Sequence, residues 1–455
     1  MNIDMEGTTL KEILRSVPNF TRFLKVREID AIIEDISRLD GVDKSIIGRS
    51  IEGEELAMLE IGKGSKTALV LGVPHSDEPL GSLLVALLAR WLAIHKEQEC
   101  FGWKWLLVPI LERRGMRLNE GWFNMPHDLD IMARSYFREP TEDQYEWSFP
   151  IEYEEYHWNR PRPETIAVKS VIEKERPDLL FGLHHCGFSN AYFYFSRDMP
   201  SAYPRLLKLA KSLRIPLATQ SPDVPFGKVL HPGFYQMYGL KDYIDYYKSK
   251  DPSALVSLKR GACSDEFYSS VVKGFSFNCE VPIYLTPAMR DTKRSNKSLK
   301  HILEAKYERN LNVLRYSIRM MGKMDEFKEM ADQVLFDSAK KHVQNARTSL
   351  EHDKKMLSNL EERYATNAEL YENEVMADIF DLFFLGQIWR VSESICIQGG
   401  GVKPCRLMEK TNLDIKTLAK SVQSRGGFYH LPIQKSIQMQ LGSLLIMADE
   451  LLKGA

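Results

Sequence analysis

The stretch Thr67-Ala-Leu-Val-Leu-Gly-Val-Pro-His-Ser-Asp-Glu-Pro79 joins an apolar run to a short polar turn. The apolar half predicts a buried strand, and residues 79–94, which follow the turn, have the pattern of a helix. A turn in this position lies at the carboxyl end of a strand, where α/β sheets place their functional sites. His75 and Glu78 can reach one metal ion from this turn, because the strand end fixes one side chain and the helix start fixes the other.

Strands and helices alternate through the rest of this region. The alternation predicts an α/β fold, in which helices cover a largely parallel sheet. Residues 120–163 show no clear periodicity, and a loop of that length inside a compact domain is often functional. Further strands are predicted over residues 103–109, 179–183, 191–195 and 275–281, and a further helix over residues 164–175.

Composition divides the chain into three segments. Residues 1–44 predict a helical segment that Pro18 breaks in two, residues 45–294 contain the α/β pattern, and residues 295–455 are dominated by helical signals. The last segment has two interpretations: a helical bundle that packs on the domain, or a coiled-coil-like arm that joins two copies of the chain in a homo-oligomer. Its apolar residues fit heptads only loosely. Its helices are expected over residues 296–321, 324–350 and 352–384.

The charge balance argues against nucleic acid as a partner. The 455 residues include 61 Lys and Arg against 62 Asp and Glu, whereas nucleic-acid binding needs clustered positive charge. No apolar run reaches the roughly 20 residues that span a bilayer, and residues 1–14 lack the pattern of a signal peptide. Six cysteines without paired spacing favour reduced thiols and a cytoplasmic location.

A third metal ligand is expected at Leu183-His-His-Cys-Gly187, which closes another apolar strand and should emerge at the same edge of the sheet. We favour His184 as the ligand, with His185 packing or donating a hydrogen bond; the alternative is that both are polar strand-end residues. Cys186 is a soft ligand type, but in an extended chain its side chain points away from those of its neighbours.

A hydrolytic metal site also needs a base close to the reacting water. The segment Phe275-Ser-Phe-Asn-Cys-Glu-Val-Pro282 places Glu280 at the end of an apolar strand, which makes it the candidate base. The alternative is an edge-strand glutamate paired with a lysine or an arginine.

Over residues 48–291 the chain resembles the zinc carboxypeptidases of the carboxypeptidase A type. Gly48-Arg-Ser-Ile-Glu-Gly53 is similar to the opening motif of that family, and the His-x-x-Glu turn, the strand-end histidine and the glutamate in an aromatic strand follow in the family's order. The resemblance implies a mixed, twisted sheet sandwiched by helices. It also implies one zinc ion and a general base, with these roles carried by His75, Glu78 and His184 as ligands and Glu280 as base.

The chain departs from the family where the substrate is held. The family's oxyanion arginine and Asn-Arg pair are compressed here into residues 112–122, in which Asn119 fits the asparagine but Glu120 replaces the arginine. The arginine of the family's Asn-Arg pair binds the C-terminal carboxylate of the substrate, and a glutamate at that position would repel the same carboxylate at close range. We therefore predict Arg117 as the oxyanion or anchor residue, with a structural ion pair as the alternative, and Asn119 and Glu120 as substrate-binding residues. Arg113 and Arg114 are the other candidates for the grip on substrate, and the remaining alternative is that the substrate has no free carboxylate at that point.

The sequence thus predicts a zinc-dependent hydrolase of a peptide or a peptide-like amide. Glu120 suggests recognition of a cationic group, such as a free amine beside the bond that is cleaved. One alternative is an N-acyl amino acid deacylase similar to aspartoacylase and succinylglutamate desuccinylase, although the Asp-Leu-Asn-Arg signature of that branch becomes Arg117-Leu-Asn-Glu120 here. Another is a zinc-binding scaffold without catalytic activity.

Overall fold

The computed structural model describes residues 8–95, 101–219, 223–250, 258–358, 360 and 362–454. These residues form two compact units. The first contains the described residues of Met1–Arg117, Thr141–Leu285 and His430–Ala455, and the second contains Leu118–Pro140 and those of Thr286–Tyr429.

The regular elements are numbered in chain order. The strands are β1 (Val42–Arg49), β2 (Glu55–Ile61), β3 (Lys66–Leu71), β4 (Trp103–Val108), β5 (Ile151–Tyr153), β6 (Tyr156–Trp158), β7 (Leu179–Gly182), β8 (Phe188–Ser189), β9 (Tyr192–Phe195), β10 (Val229–His231), β11 (Phe234–Gln236), β12 (Phe275–Glu280), β13 (Tyr284–Leu285), β14 (Arg294–Ser298), β15 (Tyr364–Thr366) and β16 (Tyr429–His430). The helices are α1 (Thr8–Ser16), α2 (Val26–Ser37), α3 (Leu80–Ile94), α4 (Arg113–Asn119), α5 (Leu129–Ser135), α6 (Pro163–Glu175), α7 (Tyr203–Leu213), α8 (Leu240–Lys250), α9 (Ser264–Val271), α10 (Leu299–Met324), α11 (Gln333–Ser358), α12 (Asn367–Tyr371), α13 (Ala377–Ile397), α14 (Val402–Arg425) and α15 (Ile433–Leu452).

A mixed sheet forms the centre of the first unit, with the strand order β1-β2-β4-β3-β7-β12-β9-β11-β10. The four strands β4, β3, β7 and β12 lie side by side and are parallel. On one side β1 and β2 pair antiparallel with their neighbours, and on the other β9 is antiparallel to β12 but parallel to β11. The predicted α/β fold with a mixed sheet is confirmed, and its parallel part is the centre.

Helices cover both faces of this sheet. On one face, Leu69 and Leu71 of β3 share a core cluster with Val168 of α6, Ile244 of α8 and Phe267 of α9. Side chains alternate along a strand, so Ala68 and Val70 face the other side, where α3 packs on β2 and β4 and α15 packs on α3 and β12. Helix α3 is apolar on almost all sides because it lies between the sheet and the further helices α2 and α15.

The units do not follow the predicted boundaries at 44 and 294. Residues 118–140 group with the second unit instead of the α/β domain, and residues 430–455 return to the first unit, where α15 packs on α3, α7 and β12. The predicted N-terminal segment, of which residues 1–7 lie outside the described residues, forms α1 and α2 and groups with the α/β domain. A composition shift therefore did not coincide with a structural boundary, because long-range packing decides which unit a helix joins.

The second unit is mainly helical, as predicted for the C-terminal segment. No continuous helix covers residues 352–384, since β15 pairs with β14 and breaks the chain between α11 and α12. Cys396 and Cys405 form a disulfide across the turn between α13 and α14, with a Cα–Cα distance of 5.5 Å. The expectation that the thiols are all reduced is therefore wrong for this pair. Within the described part of the chain, no helix combines the length and the apolar composition that a membrane crossing requires.

The close contact of Gly72 with the backbone of Pro109 gives a test of the fold. A Cβ atom on Gly72 would lie 2.3 Å from the carbonyl oxygen of Pro109, which is backbone and cannot move aside cheaply, whereas a Cβ on Gly187 would meet nothing within 4 Å. We expect Gly72→Ala to lower the free energy of unfolding by about 2 kcal/mol and the control Gly187→Ala to leave it nearly unchanged. Denaturant unfolding measures both. Equal effects would contradict the described packing at the end of β3.

Candidate metal centre

The turn after β3 is held in a strained shape. Val73 has a φ of +52°, which is unusual for a β-branched residue and costs on the order of 1–3 kcal/mol. Two hydrogen bonds hold it there: the Leu111 N–H donates to the Gly72 carbonyl at 3.1 Å, and the Glu112 N–H donates to the Val73 carbonyl at 3.2 Å. The turn thereby leaves the sheet at a fixed angle and carries His75 away from the strand.

Three parallel strands bring the predicted ligands and the predicted base together. Donor atoms of His75, Glu78 and His184 all lie within 4.8 Å of one another, and all three residues are buried. The Glu78 Oε2 atom is 3.2 Å from His184 Nδ1, and the rings of the two histidines are 5.1 Å apart. Glu280 stands at the end of β12 with its Oε1 atom 4.0 Å from His184 Nδ1 and its side chain 13% exposed.

The cluster fits a divalent cation. Burial lowers the pKa of His184, but the hydrogen bond and charge of Glu78, with the charge of Glu280, outweigh it and raise that pKa to about 10. The carboxylates around His184 thus strongly stabilise a positive charge there. A metal ion bound to these residues would replace the proton of His184. Two imidazoles and one carboxylate form a ligand set of catalytic zinc sites.

The structure distinguishes the two adjacent histidines. His184 directs its Nδ1 atom to Glu78, whereas the ring of His185 lies 5.9 Å from that of Phe23. Burial lowers the pKa of His185 to about 4, so this imidazole is neutral. Its backbone N–H donates to Glu78 Oε2 at 3.2 Å, which orients the carboxylate. The geometry favours His184 as the ligand and gives His185 a supporting role.

Cys186 is poorly suited as a ligand. Burial, with the nearby charge of Glu280, raises the pKa of its thiol well above the usual value, and a metal binds the thiolate. Its side chain packs against a small cluster of buried residues, Tyr192, Tyr194, Ala218 and Tyr235.

A group of buried carboxyls beside His184 was not identified from the sequence. Glu146 Oε1 accepts hydrogen bonds from the N–H and the hydroxyl of Ser264 at 3.0 and 2.8 Å, and Asn278 donates to Asp265 at 3.0 Å. Burial raises the pKa of Glu146 to about 7, opposed by the charge of His184, and also raises that of Asp265. Glu146 lies in the aperiodic stretch 120–163, where only its position between aromatic residues could have suggested a role.

Glu146, Asp265 and Cys263 also have donor atoms within 4.8 Å of one another. Burial raises the pKa of the Cys263 thiol well above its usual value, which opposes the thiolate that a metal would need. Of the two groups, His75, Glu78 and His184 are therefore the better candidate metal ligands.

The C-terminal helix supports this edge of the sheet. The Gln440 side-chain amide of α15 donates hydrogen bonds to the carbonyls of His184 and Cys279, the latter at 3.0 Å. These carbonyls lie at the ends of β7 and β12, the strand ends that carry His184 and Glu280. Sequence reasoning missed this contact because 161 residues separate Gln440 from Cys279.

The predicted substrate arginines have other partners. Arg117 donates to Glu54 and to Glu52, at 2.9 Å in each case, and both acids lie in the turn between β1 and β2. Burial raises the pKa of Glu54, but Arg117 and Arg113 together lower it on balance. The structure thus places Arg117 in the ion pair that was the alternative to a catalytic role, and its predicted role at the oxyanion stays a prediction.

The other two arginines of this group are also paired. Arg113 makes a two-bond contact with Asp30 of α2 at 2.9 and 2.7 Å. The Nε atom of Arg114 is 4.0 Å from Glu52. These arginines join α4 to α2 and to the turn before β2, so their described contacts are structural.

Asn119 and Glu120 belong to the second unit. The Asn119 amide donates to the Phe137 carbonyl at 2.7 Å, and its oxygen accepts from the Phe137 N–H and the Trp122 indole at 3.0 and 2.9 Å. Asn119 is completely buried. Its amide therefore links two chain segments, and the substrate-binding roles of Asn119 and Glu120 stay predictions.

A group of polar side chains, Tyr192, Tyr194 and Asp223, lies next to Glu280 on the side away from β7. Tyr192 of β9 pairs directly with Glu280 in the sheet. The hydroxyls of Tyr192 and Tyr194 both donate to the carboxylate of Asp223, at 3.0 to 3.2 Å. Burial raises the pKa of Asp223, opposed by these two hydrogen bonds. The sequence contained no signal for Asp223, which lies in an irregular stretch.

No protein-family model matches the sequence, and no curated protein matches it. Solved structures similar to the chain include one named as a metallopeptidase from Shewanella amazonensis, with 13% identity, a TM-score of 0.40, and coverage of 56% of this chain and 84% of that one. Carboxypeptidase A from Helicoverpa armigera has 13% identity and a TM-score of 0.38, over 60% and 70% of the two chains. A metallo-carboxypeptidase from Burkholderia cenocepacia has 14% identity and a TM-score of 0.35, over 57% and 60%. Because the sequence identities and TM-scores are this low, the chemistry of the site is argued only from the residues of this chain.

The two histidines can be separated by metal content. We expect His184→Ala to lose stoichiometric zinc after dialysis, because it removes one of the three donors, and His185→Ala to retain it. Elemental analysis measures zinc per chain, and thermal unfolding confirms that both variants are folded. Zinc retained by His184→Ala and lost by His185→Ala would contradict the assignment.

Glu146 gives a pH test on the metal-free protein. Its pKa is raised from 4.5 to about 7 in the folded state, so the folded protein holds this proton where the unfolded chain has released it. Stability should therefore fall as the pH rises from 4.5 to 7, by about 3 kcal/mol from this group. Glu146→Gln keeps the acceptor for Ser264 and should flatten that dependence. Denaturant unfolding at pH 5 and pH 8 measures it; the same loss in both proteins would contradict the buried, protonated state.

Proposed function

We propose that the chain is a zinc-dependent hydrolase that cleaves an amide bond in a peptide or a peptide-like substrate. The observation that carries this proposal is the convergence of His75, Glu78 and His184, with the carboxylate of Glu280 4.0 Å from the His184 ring nitrogen. A site that only stored a metal would not need a further carboxylate beside the ligands. A hydrolase needs it as a base.

The ligands would leave part of the ion's coordination open, since they are three protein groups. Zinc held by them would polarise the substrate carbonyl and acidify water. Glu280 accepts the proton of the attacking water and then donates it to the nitrogen of the leaving amine. Its partial exposure suits this role, because the carboxylate must meet both water and substrate.

The surrounding side chains keep these groups in place. Glu78 is oriented by the backbone N–H of His185, and Gln440 holds the carbonyls beside His184 and Glu280. Tyr192 pairs with Glu280 in the sheet and commits its hydroxyl to Asp223. The base and the ligands thus lie at the ends of packed strands that α15 supports through Gln440, and this packing limits their movement.

The same centre also supports the N-acyl amino acid deacylase alternative, since that reaction cleaves an amide bond with the same parts. The scaffold alternative is less favoured, because it gives no role to Glu280. Zinc content together with turnover of blocked peptides and N-acetyl amino acids separates the three. Zinc binding without turnover of either class would favour the scaffold.

Replacement of the base tests the mechanism. We expect Glu280→Gln to keep stoichiometric zinc, because Glu280 is not one of the ligands, and to lower kcat about 1,000-fold through loss of proton transfer. Glu60→Gln on β2 of the same sheet is the control, with zinc content and turnover both near wild type. Substantial activity in Glu280→Gln would refute its role as the base.

A further inference from the structure

The second unit contains a cavity that none of the predicted site residues lines. Its volume is about 290 Å³, close to the lower end of the range for small-molecule sites. Three parts of the chain enclose it: the end of β14 with the first half of α10, the segment between α12 and α13, and the last residue of α14. The metal ligands and Glu280 all belong to the first unit. A ligand in this cavity would therefore occupy a site other than the metal centre.

One wall of the cavity is a turn of π-helix. Residues Glu372–Met376 form this turn, so the N–H of the next residue donates to the Glu372 carbonyl and not to that of Asn373, as it would in an α-helix. The Asn373 carbonyl accepts from Arg309 Nη2 at 2.9 Å. The side-chain oxygen of Asn373 accepts from Lys306 Nζ, also at 2.9 Å. The wide turn thereby orients two cationic side chains of α10.

Positive charge predominates in the lining of the cavity. Four cationic side chains reach it: Lys297, Lys306, Arg309 and Arg425. Of the described residues that line it, only Glu374 carries a carboxylate, whose Oε1 atom is 2.6 Å from Lys297 Nζ. His301 adds an imidazole, and Ile302 and Ala305 add an apolar patch. This composition suits an anion that also carries a small uncharged part.

The two arginines are partly neutralised by acids outside the lining. The carboxylate of Asp378 contacts both Arg309, at 3.4 Å, and Arg425. That of Asp381 is 3.5 Å from Arg309. These contacts use Nε of Arg309 and Nη2 of Arg425, and neither Nη1 group donates to a residue that the structure describes. Each guanidinium therefore keeps N–H groups for a ligand.

Lys306 is half-buried and has few partners. Its ammonium donates to Asn373, and no carboxylate oxygen in the described part of the chain lies within 4.0 Å of it. Burial raises the pKa of two nearby carboxyls, Asp353 and Glu372, and the charge of Lys306 opposes this effect from beyond that distance. An ammonium has three N–H donors, of which Asn373 uses one. An anion in the cavity would accept from the others, in a charge-assisted bond that is partly shielded from water.

We propose that this cavity binds an organic phosphate, held by Lys306 and the two arginines. The cationic groups come from α10, from α14 and from the end of β14. Donors from several directions suit the tetrahedral oxygens of a phosphate better than the flat edge of a carboxylate. The volume and the apolar patch leave room for more than the phosphate group itself. Such a site is independent of the hydrolase activity proposed above.

Inorganic pyrophosphate is the probe that tests the site. It is titrated calorimetrically into the full chain at constant ionic strength, after dialysis has removed any metal that would chelate the probe. We expect one saturable site per chain with a Kd of about 1 mM or lower, and binding at least about 10-fold tighter than that of citrate under the same conditions. No saturable binding of pyrophosphate, or binding of citrate with equal affinity, would overturn the proposal.

Charge-removing substitutions locate the bound probe. Lys306→Gln removes the charge but keeps an N–H that can donate to Asn373, and it should weaken pyrophosphate binding at least about 10-fold. Lys323→Gln is the matched control, because Lys323 is exposed near the other end of α10 and does not line the cavity. It should bind pyrophosphate like wild type. Equal affinities of the two variants would show that the probe binds elsewhere and would overturn the assignment.

A cavity-filling substitution separates loss of space from loss of charge. Ala305→Leu keeps every cation, places a larger side chain against the cavity, and suits an exposed position of a helix. Pyrophosphate should raise the Tm of wild type and Lys323→Gln, because it binds the folded state, and should not raise that of Lys306→Gln or Ala305→Leu. The Tm values without probe show that all four proteins are folded. An equal rise in all four would contradict binding in this cavity.

Discussion

The parallel register of β3, β7 and β12 is the constraint on which the site depends. Leu71 pairs with Gly182 and Gly182 pairs with Asn278, so β3 and β7 end level with one another and β12 continues two residues further, to Glu280. Residues at or just beyond these strand ends form the site: His75 and Glu78 follow β3, His184 follows β7, and Glu280 is the last residue of β12. A slip of one residue in β7 or β12 would turn its functional side chain to the other face of the sheet.

Buried negative charge explains why a cation suits this place. Glu78 and Glu280 stand beside His184, and Glu146 and Asp265 lie close enough to affect its protonation. Several buried carboxylates without compensation are costly. Protons relieve part of this cost, as the raised pKa of Glu146 shows, and a divalent cation would relieve more.

The sequence predicted that His75, Glu78 and His184 would come together, and their donor atoms do lie within 4.8 Å of one another. This was predictable because the residues follow apolar strands, where position along the chain determines position in space. His75, Glu78 and Glu280 are recognisable for that reason. Spacing alone left two roles open for Arg117, at the oxyanion or in an ion pair, because the acidic residues that contact it lie 63 and 65 residues away along the chain. The return of α15 to the sheet, and the hydrogen bonds of Lys306 and Arg309 to Asn373, depend on tertiary packing that no local pattern encodes.

The central claim is that His75, Glu78 and His184 hold a single zinc ion in a centre of nitrogen and oxygen ligands. X-ray absorption at the zinc edge of the zinc-loaded protein tests this directly. The account predicts two imidazole nitrogens and carboxylate oxygen at about 2.0–2.2 Å, and no sulfur neighbour near about 2.3 Å. A sulfur shell, which would implicate Cys186 or Cys263, or a spectrum without imidazole scattering, would contradict it.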